Sequence, residues 1–192
     1  MADNRLMSRS DFLRNGFKAM IGYAADLVDQ AIEEKVERVA VPVLRPPGAI
    51  DELAFLLKCS RCNQCIDACP HDAIVIADET HGTASGTPTI KPAETPCQMC
   101  EDYPCIAACT DEALVPTETL KVGTAHLIYT RCFAYSGQIC DYCVERCPLK
   151  GDAIIIEDRK PQIVEENCTG CGVCEFICPA PGNGITVLAR KN

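Results

Sequence analysis

The chain has 192 residues, which is enough for one ordinary domain or for two small modules packed together. It contains 16 Cys, 5 Phe, 5 Tyr and no Trp, so aromatic side chains supply little of its core. The net charge of the chain is -9 with cysteine counted as neutral. A negatively charged surface repels nucleic acid and favours a partner protein that has a basic patch. No run reaches the roughly 20 apolar residues of a membrane span.

The first forty residues contain no cysteine and predict a long amphipathic helix. Ser10 is a suitable N-cap for a helix that runs to about Val39. Apolar residues recur along it at helical spacing: Leu13, Phe17, Met20, Ile21, Ala24, Leu27, Val28, Ala31 and Ile32. We predict that residues 1–40 form a helix for docking or assembly, through a partner protein or self-association. The alternative is that the helix packs on the chain's own domain.

The same segment resembles an export signal without its working parts. Ser8-Arg9-Ser10-Asp11-Phe12-Leu13-Arg14 looks like a twin-arginine motif in which Ser replaces the second Arg. A signal peptide also needs an apolar stretch of roughly 7–15 residues and a small-residue cleavage site. Here the longest uncharged run is Ala19 to Ala25, and the acidic residues Asp26 and Asp29 come directly after it. We therefore predict a cytoplasmic protein.

Residues 41–192 hold all the cysteines, in four groups of four, and form the predicted four-cluster domain. Group one is Cys59-x2-Cys62-x2-Cys65-x3-Cys69, and group two is Cys97-x2-Cys100-x4-Cys105-x3-Cys109. Group three is Cys132-x7-Cys140-x2-Cys143-x3-Cys147, and group four is Cys168-x2-Cys171-x2-Cys174-x3-Cys178.

The spacing of groups one and four is typical of bacterial ferredoxins that bind [4Fe–4S] clusters. In that pattern three thiolates surround one cluster, and the fourth cysteine, followed by proline, ligates a neighbouring cluster. Zinc sites instead combine two C-x2-C pairs over a longer spacer, and disulfides need an oxidising compartment. The sequence thus predicts four [4Fe–4S] clusters on sixteen cysteine ligands. With no Ser/His/Asp set or Gly-rich phosphate loop in the sequence, we predict a non-catalytic electron-transfer subunit.

Short β-rich runs flank the cysteine groups. They follow groups one, three and four at Ala73–Ile76, Ala153–Ile156 and Gly184–Leu188, with a weaker run at Ala113–Val115 after group two. Further runs precede groups three and four at Thr124–Thr130 and Gln162–Val164. The repeated order of strand, cysteine loop, short helix and strand predicts an α+β fold of ferredoxin-like modules.

Several stretches resemble known four-cluster proteins. Cys97-Gln98-Met99-Cys100-Glu101-Asp102-Tyr103-Pro104-Cys105 is similar to the second group of four-cluster subunits in molybdenum and tungsten oxidoreductases, which have proline before the third cysteine. Leu44-Arg45-Pro46-Pro47-Gly48-Ala49 and Cys132-x7-Cys140-Asp141-Tyr142-Cys143 resemble the MauM/NapG group, the ferredoxin-type proteins of methylamine utilisation and periplasmic nitrate reduction. The resemblance runs from about Arg45 to the C-terminus.

The resemblance implies that ligands are shared between groups one and four and between groups two and three. The implied sets are Cys59, Cys62, Cys65 and Cys178; Cys168, Cys171, Cys174 and Cys69; Cys97, Cys100, Cys105 and Cys147; and Cys132, Cys140, Cys143 and Cys109. Two ferredoxin-like modules would then be interleaved, with an inner module over residues 90–150 inside an outer one. Spacing alone does not distinguish this arrangement from sequential pairing of group one with group two.

The resemblance also implies partners. Because the export signal is incomplete, we expect a subunit that relays electrons within a cytoplasmic tungsten- or molybdenum-dependent oxidoreductase, such as an aldehyde oxidoreductase. Its partners would be the large metal-cofactor subunit and a flavoprotein or ferredoxin. The alternatives are a ferredoxin-type quinol-oxidation component of a nitrate-reductase-like chain, and a free soluble polyferredoxin.

Overall fold

The computed structural model describes residues 43–118 and 120–190. The helix predicted over residues 1–40 lies outside the described residues. The described helices are α1 Glu52–Lys58, α2 Gln64–Asp67, α3 Pro104–Ala107, α4 Tyr142–Glu145 and α5 Val173–Phe176. Residues Glu79–Ala84 form 3₁₀ turns that are interrupted at Gly82, which has φ of 56°. The strands are β1 Ile74–Ile76, β2 Pro88–Ile90, β3 Gly123–Leu127, β4 Ile154–Glu157, β5 Lys160–Ile163 and β6 Ile185–Ala189.

Two modules follow one another along the chain, and each has its own core. Module one, residues 43–122, packs around Phe55, Ile74, Ile90 and Leu114. Module two, residues 123–190, packs around Ala125, Ile154, Ile185 and Val187. The prediction of interleaved modules is therefore wrong. The helices of consecutive cysteine groups pack on each other, α2 on α3 and α4 on α5, so groups one and two share one core and groups three and four share the other.

Module two contains two antiparallel strand pairs. Its first and last strands, β3 and β6, pair in a register that places Gly123 opposite Ala189 and Leu127 opposite Ile185. Strands β4 and β5 form a hairpin whose turn is Asp158–Arg159, with φ values of 49° and 63°. Positive φ at both turn positions is typical of the tight two-residue turns that match strand twist. The β-rich runs predicted on both sides of groups three and four are confirmed.

Module one has a reduced version of this framework. Strands β1 and β2 pair antiparallel, but residues 77–87 connect them in place of a two-residue turn. The pair that would correspond to β3 and β6 is one bridge between Ala49 and Leu114. Two backbone hydrogen bonds support it, from Ile50 to Ala113 (3.2 Å) and from Val115 to Gly48 (2.8 Å). The weaker β-rich run after group two thus corresponds to a strand of minimal length.

A buried arginine links the parts of module one. The guanidinium of Arg45, which is 6% exposed, donates to Glu52 at 2.6 and 2.9 Å. It also donates to the Thr87 hydroxyl (2.6 Å) and the Pro88 carbonyl (2.7 Å), and lies 4.4 Å from the centre of the Phe55 ring. One side chain therefore joins α1 to the start of β2, and all its contacts are charge-assisted or cation–π.

The modules meet closely around group four. Backbone N–H groups of Cys97 and Val122 donate to the carbonyls of Cys171 (2.9 Å) and Thr169 (2.8 Å). Gly170 has φ of 67°, and a Cβ there would lie 2.3 Å from the Gly123 backbone. Only glycine fits such a contact at positive φ. Arg190 adds a further bond, donating to the Ala49 carbonyl at 2.9 Å.

Candidate iron–sulfur sites

Three cavities are each lined by four thiols. Site 1 contains Cys59, Cys62, Cys65 and Cys109; site 3 contains Cys147, Cys168, Cys171 and Cys174; and site 4 contains Cys132, Cys140, Cys143 and Cys178. The space between protein atoms is about 340 Å³ at site 1, 390 Å³ at site 3 and 330 Å³ at site 4, part of it open to solvent. In each site three thiols come from one group and the fourth comes from the other group of the same module.

The remaining four cysteines form site 2. They are Cys69 from group one and Cys97, Cys100 and Cys105 from group two. Cys69, Cys97 and Cys105 lie in one packed cluster. Burial raises the pKa of Cys97 and of Cys105, and the nearby Cys100 adds to both rises. Site 2 therefore follows the same rule as the other three sites: three thiols come from one cysteine group and the fourth comes from the other group of the same module.

These quartets correct the predicted ligand sets. Cys178 lies with group three instead of with Cys59, Cys62 and Cys65, and its place in site 1 is taken by Cys109. Likewise Cys147 lies with group four. The physical reason is that the fourth cysteine follows a helix of only four residues, so it reaches the group whose helix packs alongside. In this structure group one pairs with group two and group three pairs with group four, which is the alternative that spacing alone left open.

The donor sets fit iron–sulfur clusters better than the alternatives. All sixteen cysteines lie within the described residues as free thiols. No three His, Cys, Asp or Glu side chains of the described chain converge tightly enough to hold a single metal ion. A zinc ion would need thiolates about 2.3 Å away on all sides, whereas these thiols stand around a wider cavity. Four thiolates around such a space suit a [4Fe–4S] cluster.

Backbone N–H groups point at the sulfur of the fourth cysteine in three groups. Cys69 accepts from Ala73 (3.4 Å), Cys109 from Leu114 (3.4 Å) and Cys178 from Gly184 (3.1 Å). These donors come from the chain just after each group, where a strand or the minimal strand of module one begins. Such donors stabilise thiolate sulfur and tune the potential of a cluster that is bound to it.

Burial makes these thiols hold their protons strongly when no iron is bound. It raises the pKa of Cys65, Cys97 and Cys143 to about 12 and that of Cys105 to about 11, and neighbouring thiols add to the rise. Burial also raises the pKa of Cys147, Cys171 and Cys174. Since iron binds thiolates, cationic iron must displace these protons. The sites therefore favour a strongly charged metal centre over an empty anionic pocket.

The four sites follow one another in space in the order of their numbers. Sites 1 and 2 adjoin, because helices α2 and α3, which carry Cys65 and Cys105, pack on each other. Sites 2 and 3 meet at the bond from the Cys97 N–H to the Cys171 carbonyl. Sites 3 and 4 adjoin, because helices α4 and α5, which carry Cys143 and Cys174, pack on each other. The spatial order of the groups is thus one, two, four, three, which differs from their order in the sequence.

Sequence reasoning missed several non-cysteine residues at the sites. Arg61 and Asp111 line site 1, where Asp111 accepts hydrogen bonds from the backbone and hydroxyl of Ser60. Phe133 and Tyr142 line site 4. Arg61 and Tyr142 could have been found, because each adjoins a ligand in sequence. Asp111 could not, because its contact with Ser60 crosses between two groups.

Two family models match the chain, one over each pair of cysteine groups. Residues 58–113 and 129–179 each match the family described as "4Fe-4S dicluster domain". The first segment covers all of groups one and two and the second covers all of groups three and four, in line with the two modules. The chain is similar to a chain of the formate dehydrogenase–heterodisulfide reductase–formylmethanofuran dehydrogenase complex from Methanospirillum hungatei, with 23% identity, a TM-score of 0.28, and coverage of 82% of this chain and 56% of that one.

Relatives cover almost the whole chain. Ferredoxin-type protein NapG of Escherichia coli is 35% identical over 94% of this chain and 85% of its own length. Methylamine utilization ferredoxin-type protein MauM of Methylorubrum extorquens is 36% identical over 100% and 93%, and MauM of Paracoccus denitrificans is 33% identical over 99% and 91%. Within the described part of the chain, no helix is both long and apolar enough for a membrane span. The chain is a member of the MauM/NapG family of ferredoxin-type proteins, non-catalytic electron-transfer proteins with four [4Fe–4S] clusters.

Proposed function

We propose that the chain relays single electrons from one end of the molecule to the other, through sites 1, 2, 3 and 4 in that order or the reverse. A [4Fe–4S] cluster, when bound, supplies one-electron storage and release at a potential set by its surroundings. The observation that carries the proposal is the contact between sites 2 and 3, where the Cys97 N–H donates to the Cys171 carbonyl at 2.9 Å. It joins two pairs of sites into one series.

We assign the ligands by the quartets described above, with each module exchanging its fourth cysteines internally. The thiols hold and orient the clusters, and their backbone donors favour the thiolate form. Burial of Cys65, Cys97 and Cys143, each 8 or 9% exposed, excludes water from the inner side of sites 1, 2 and 4. By contrast, Cys62 is exposed, so site 1 has a side open to a partner.

For the pathway, the proposal is a ferredoxin-type component of a redox chain like those of NapG and MauM. This is the alternative that we set beside a tungsten- or molybdenum-dependent aldehyde oxidoreductase, and the similarity to NapG and MauM over nearly the full chain supports it better. Its partners would be a quinol-oxidising donor and a downstream redox protein. The metal-cofactor oxidoreductase subunit is the second candidate partner, on the resemblance of the Cys97–Cys105 motif.

The N-terminal segment and the compartment complete the proposal. We propose that residues 1–40 attach the relay to its partner or to a second copy, because residues 43–190 already contain both cores and all sixteen cysteines. The incomplete export signal supports a place in the cytoplasm. Deletion of residues up to Val39 should leave four clusters but abolish complex assembly. Co-purification of the truncated protein with its partner at full yield would overturn that role.

The relay is tested on the anaerobically purified full chain. We expect about sixteen iron atoms and sixteen acid-labile sulfides per chain, and four electrons taken up in a reductive titration monitored by EPR. Reduction by quinol-loaded native membranes would support the NapG-like pathway. Reduction only by an aldehyde with a tungsten enzyme would support the second candidate. Fewer than four reducible clusters would contradict the relay itself.

A further inference from the structure

The long loop of group three, residues 133–141, exposes apolar side chains beside site 4. Ile139 is 98% exposed and Tyr142 is 53% exposed. They flank Cys140, a thiol of site 4, and Tyr142 itself lines that cavity. Any protein that covers these two side chains therefore lies directly against the terminal site of the series. An exposed aliphatic side chain in this position has no role in holding the thiols.

The loop is larger than its cysteines require. Groups one and four span the same first interval with two residues, whereas Cys132 and Cys140 are separated by seven. The thiols of site 4 could be supplied by the shorter spacing, as they are at site 1. The additional residues therefore build a surface feature, and Ile139 stands at its exposed end.

The loop is also held in one conformation. The Tyr135 hydroxyl donates to the Pro161 carbonyl (3.2 Å) and accepts from the Gln162 amide (2.9 Å). Its ring lies 4.6 Å from that of Tyr129. Backbone bonds from Ser136 to Cys132 (3.1 Å) and from Gln138 to Phe133 (3.0 Å) close the turn. Ile139 is thus presented by an ordered support, which is what a preorganised contact surface requires.

The charges around the loop define the partner's chemistry. Arg131 and Lys160 stand beside it, where Lys160 lies 5.3 Å from the centre of the Tyr135 ring and Arg131 donates to the Gly182 carbonyl. Neither forms a salt bridge with any other residue of the described chain. Two exposed carboxylates offset these cations, because Asp141 belongs to the loop itself and Glu157 is the strand partner of Lys160. Module two has eight acidic and six basic side chains, against twelve and five in module one. Apolar contact, with charges of both signs at its edge, therefore dominates this end.

We propose that the loop 133–141, with Tyr142, docks an electron-exchange partner protein whose contact face is an apolar socket bordered by charges of both signs. The proposal rests on the relay through the four sites. It adds a surface for a partner protein at the outer end of that relay, beside site 4. Aromatic and aliphatic side chains at the centre, with charge only at the rim, are the usual anatomy of a specific protein interface. Docking there brings the partner's redox group to the Cys140 side of site 4.

The first measurement identifies the occupant. The photoreactive residue p-benzoylphenylalanine replaces Ile139 in the full chain, expressed in its native host, and in a control it replaces Leu57, which is 81% exposed on α1. We expect position 139 to crosslink to a protein that carries haem, flavin or a redox metal and that position 57, beside site 1, does not capture. Crosslinks from position 139 to a second copy of the chain, to its own N-terminal segment or to lipid would overturn the proposal.

The second measurement tests function with matched neutral variants. Ile139→Gln and Leu57→Gln each remove an exposed aliphatic side chain close to a site cysteine without changing charge. With the captured partner and the reduced holoprotein, Ile139→Gln should lower the second-order rate of electron exchange at least tenfold. Leu57→Gln should stay within twofold of wild type. Iron content and EPR spectra must be unchanged in both variants, so that a lost rate reports docking.

Two results separate failure of docking from failure of the relay. Equal rates for wild type, Ile139→Gln and Leu57→Gln would overturn the docking surface while leaving the relay intact. No electron exchange between wild type and the captured protein would also overturn the docking surface alone, whereas fewer than four reducible clusters in wild type would contradict the relay. Because Asp141 and Glu157 offset Arg131 and Lys160 at the rim, the wild-type rate should change less than about twofold between low and high salt, and a tenfold change would contradict an apolar contact.

Discussion

Modules one and two hold the same arrangement of two thiol quartets but stabilise it in different ways. Module two uses strands, with β3 paired to β6 and a two-residue turn between β4 and β5. In module one the first pair is reduced to the Ala49–Leu114 bridge, and the buried Arg45 joins its parts. The difference shows that the thiol quartets require little sheet. Where the sheet is short, a network of buried polar contacts replaces it.

The largest expected effect tests whether each module exchanges ligands internally. In the Cys59→Ala, Cys109→Ala double variant both changes fall in site 1, so about four iron atoms should be lost per chain. In the Cys59→Ala, Cys178→Ala variant the changes fall in sites 1 and 4, so about eight should be lost. Iron and sulfide analysis of anaerobic preparations gives the counts. The interleaved arrangement requires the opposite result for the two variants.

The next test asks whether Arg45 replaces the missing strands of module one. Arg45→Met should destabilise the protein by about 3 kcal/mol, because Glu52 and the Pro88 carbonyl lose their donor at a buried position. The control is Glu145→Gln, which breaks the exposed Glu145–Lys150 pair of module two and should cost at most about 1 kcal/mol. Denaturant unfolding followed by circular dichroism measures both. Equal losses of unfolding free energy in the two variants would show that Arg45 does not replace the missing strand pairing of module one.

A smaller effect is expected where the modules meet. Gly170→Ala places a methyl group 2.3 Å from the Gly123 backbone, so one module must move away from the other. Overpacking of this kind costs about 1–3 kcal/mol. Gly151→Ala is the matched control, since Gly151 also has positive φ but its added Cβ would meet nothing within 4 Å. The rate of electron transfer between sites 2 and 3, measured by rapid freeze-quench EPR, should fall only in Gly170→Ala.

The smallest effect concerns a property that both modules share. Burial raises the thiol pKa in module one (Cys65, about 12) and in module two (Cys143, about 12). Below these values each thiol is mostly protonated, and the thiolate fraction rises about tenfold per pH unit. Cluster assembly on the apoprotein should therefore release protons and accelerate from pH 7 to pH 9. The assay is continued to pH 10, where an ordinary thiol with a pKa of 9.0 is already mostly ionised, and an assembly rate that levels off between pH 9 and pH 10 would contradict the raised pKa values.

The sequence was most informative where spacing and chemistry coincide. All sixteen ligands, the strands beside groups one, three and four, and the short helices were predictable, because cysteine intervals and β-branched runs are local signals. The pairing of groups was not, since it depends on which helices pack together. Gly170 and Gly172 are recognisable as glycines of a cluster loop, yet their added Cβ atoms would meet Gly123 and Pro92 of neighbouring segments. A close approach of this kind leaves no pattern in one sequence.

The bond from Arg190 to the Ala49 carbonyl has a practical consequence. It brings the last described residues beside the beginning of module one, and the pairing of Ala189 with Gly123 holds them at the boundary of the two modules. Within residues 43–190, the C-terminal end therefore lies at the boundary between the modules, away from Cys62 of site 1 and Cys140 of site 4. We expect a purification tag or a fused protein at the C-terminus to leave the cysteines of both outer sites accessible to partner proteins.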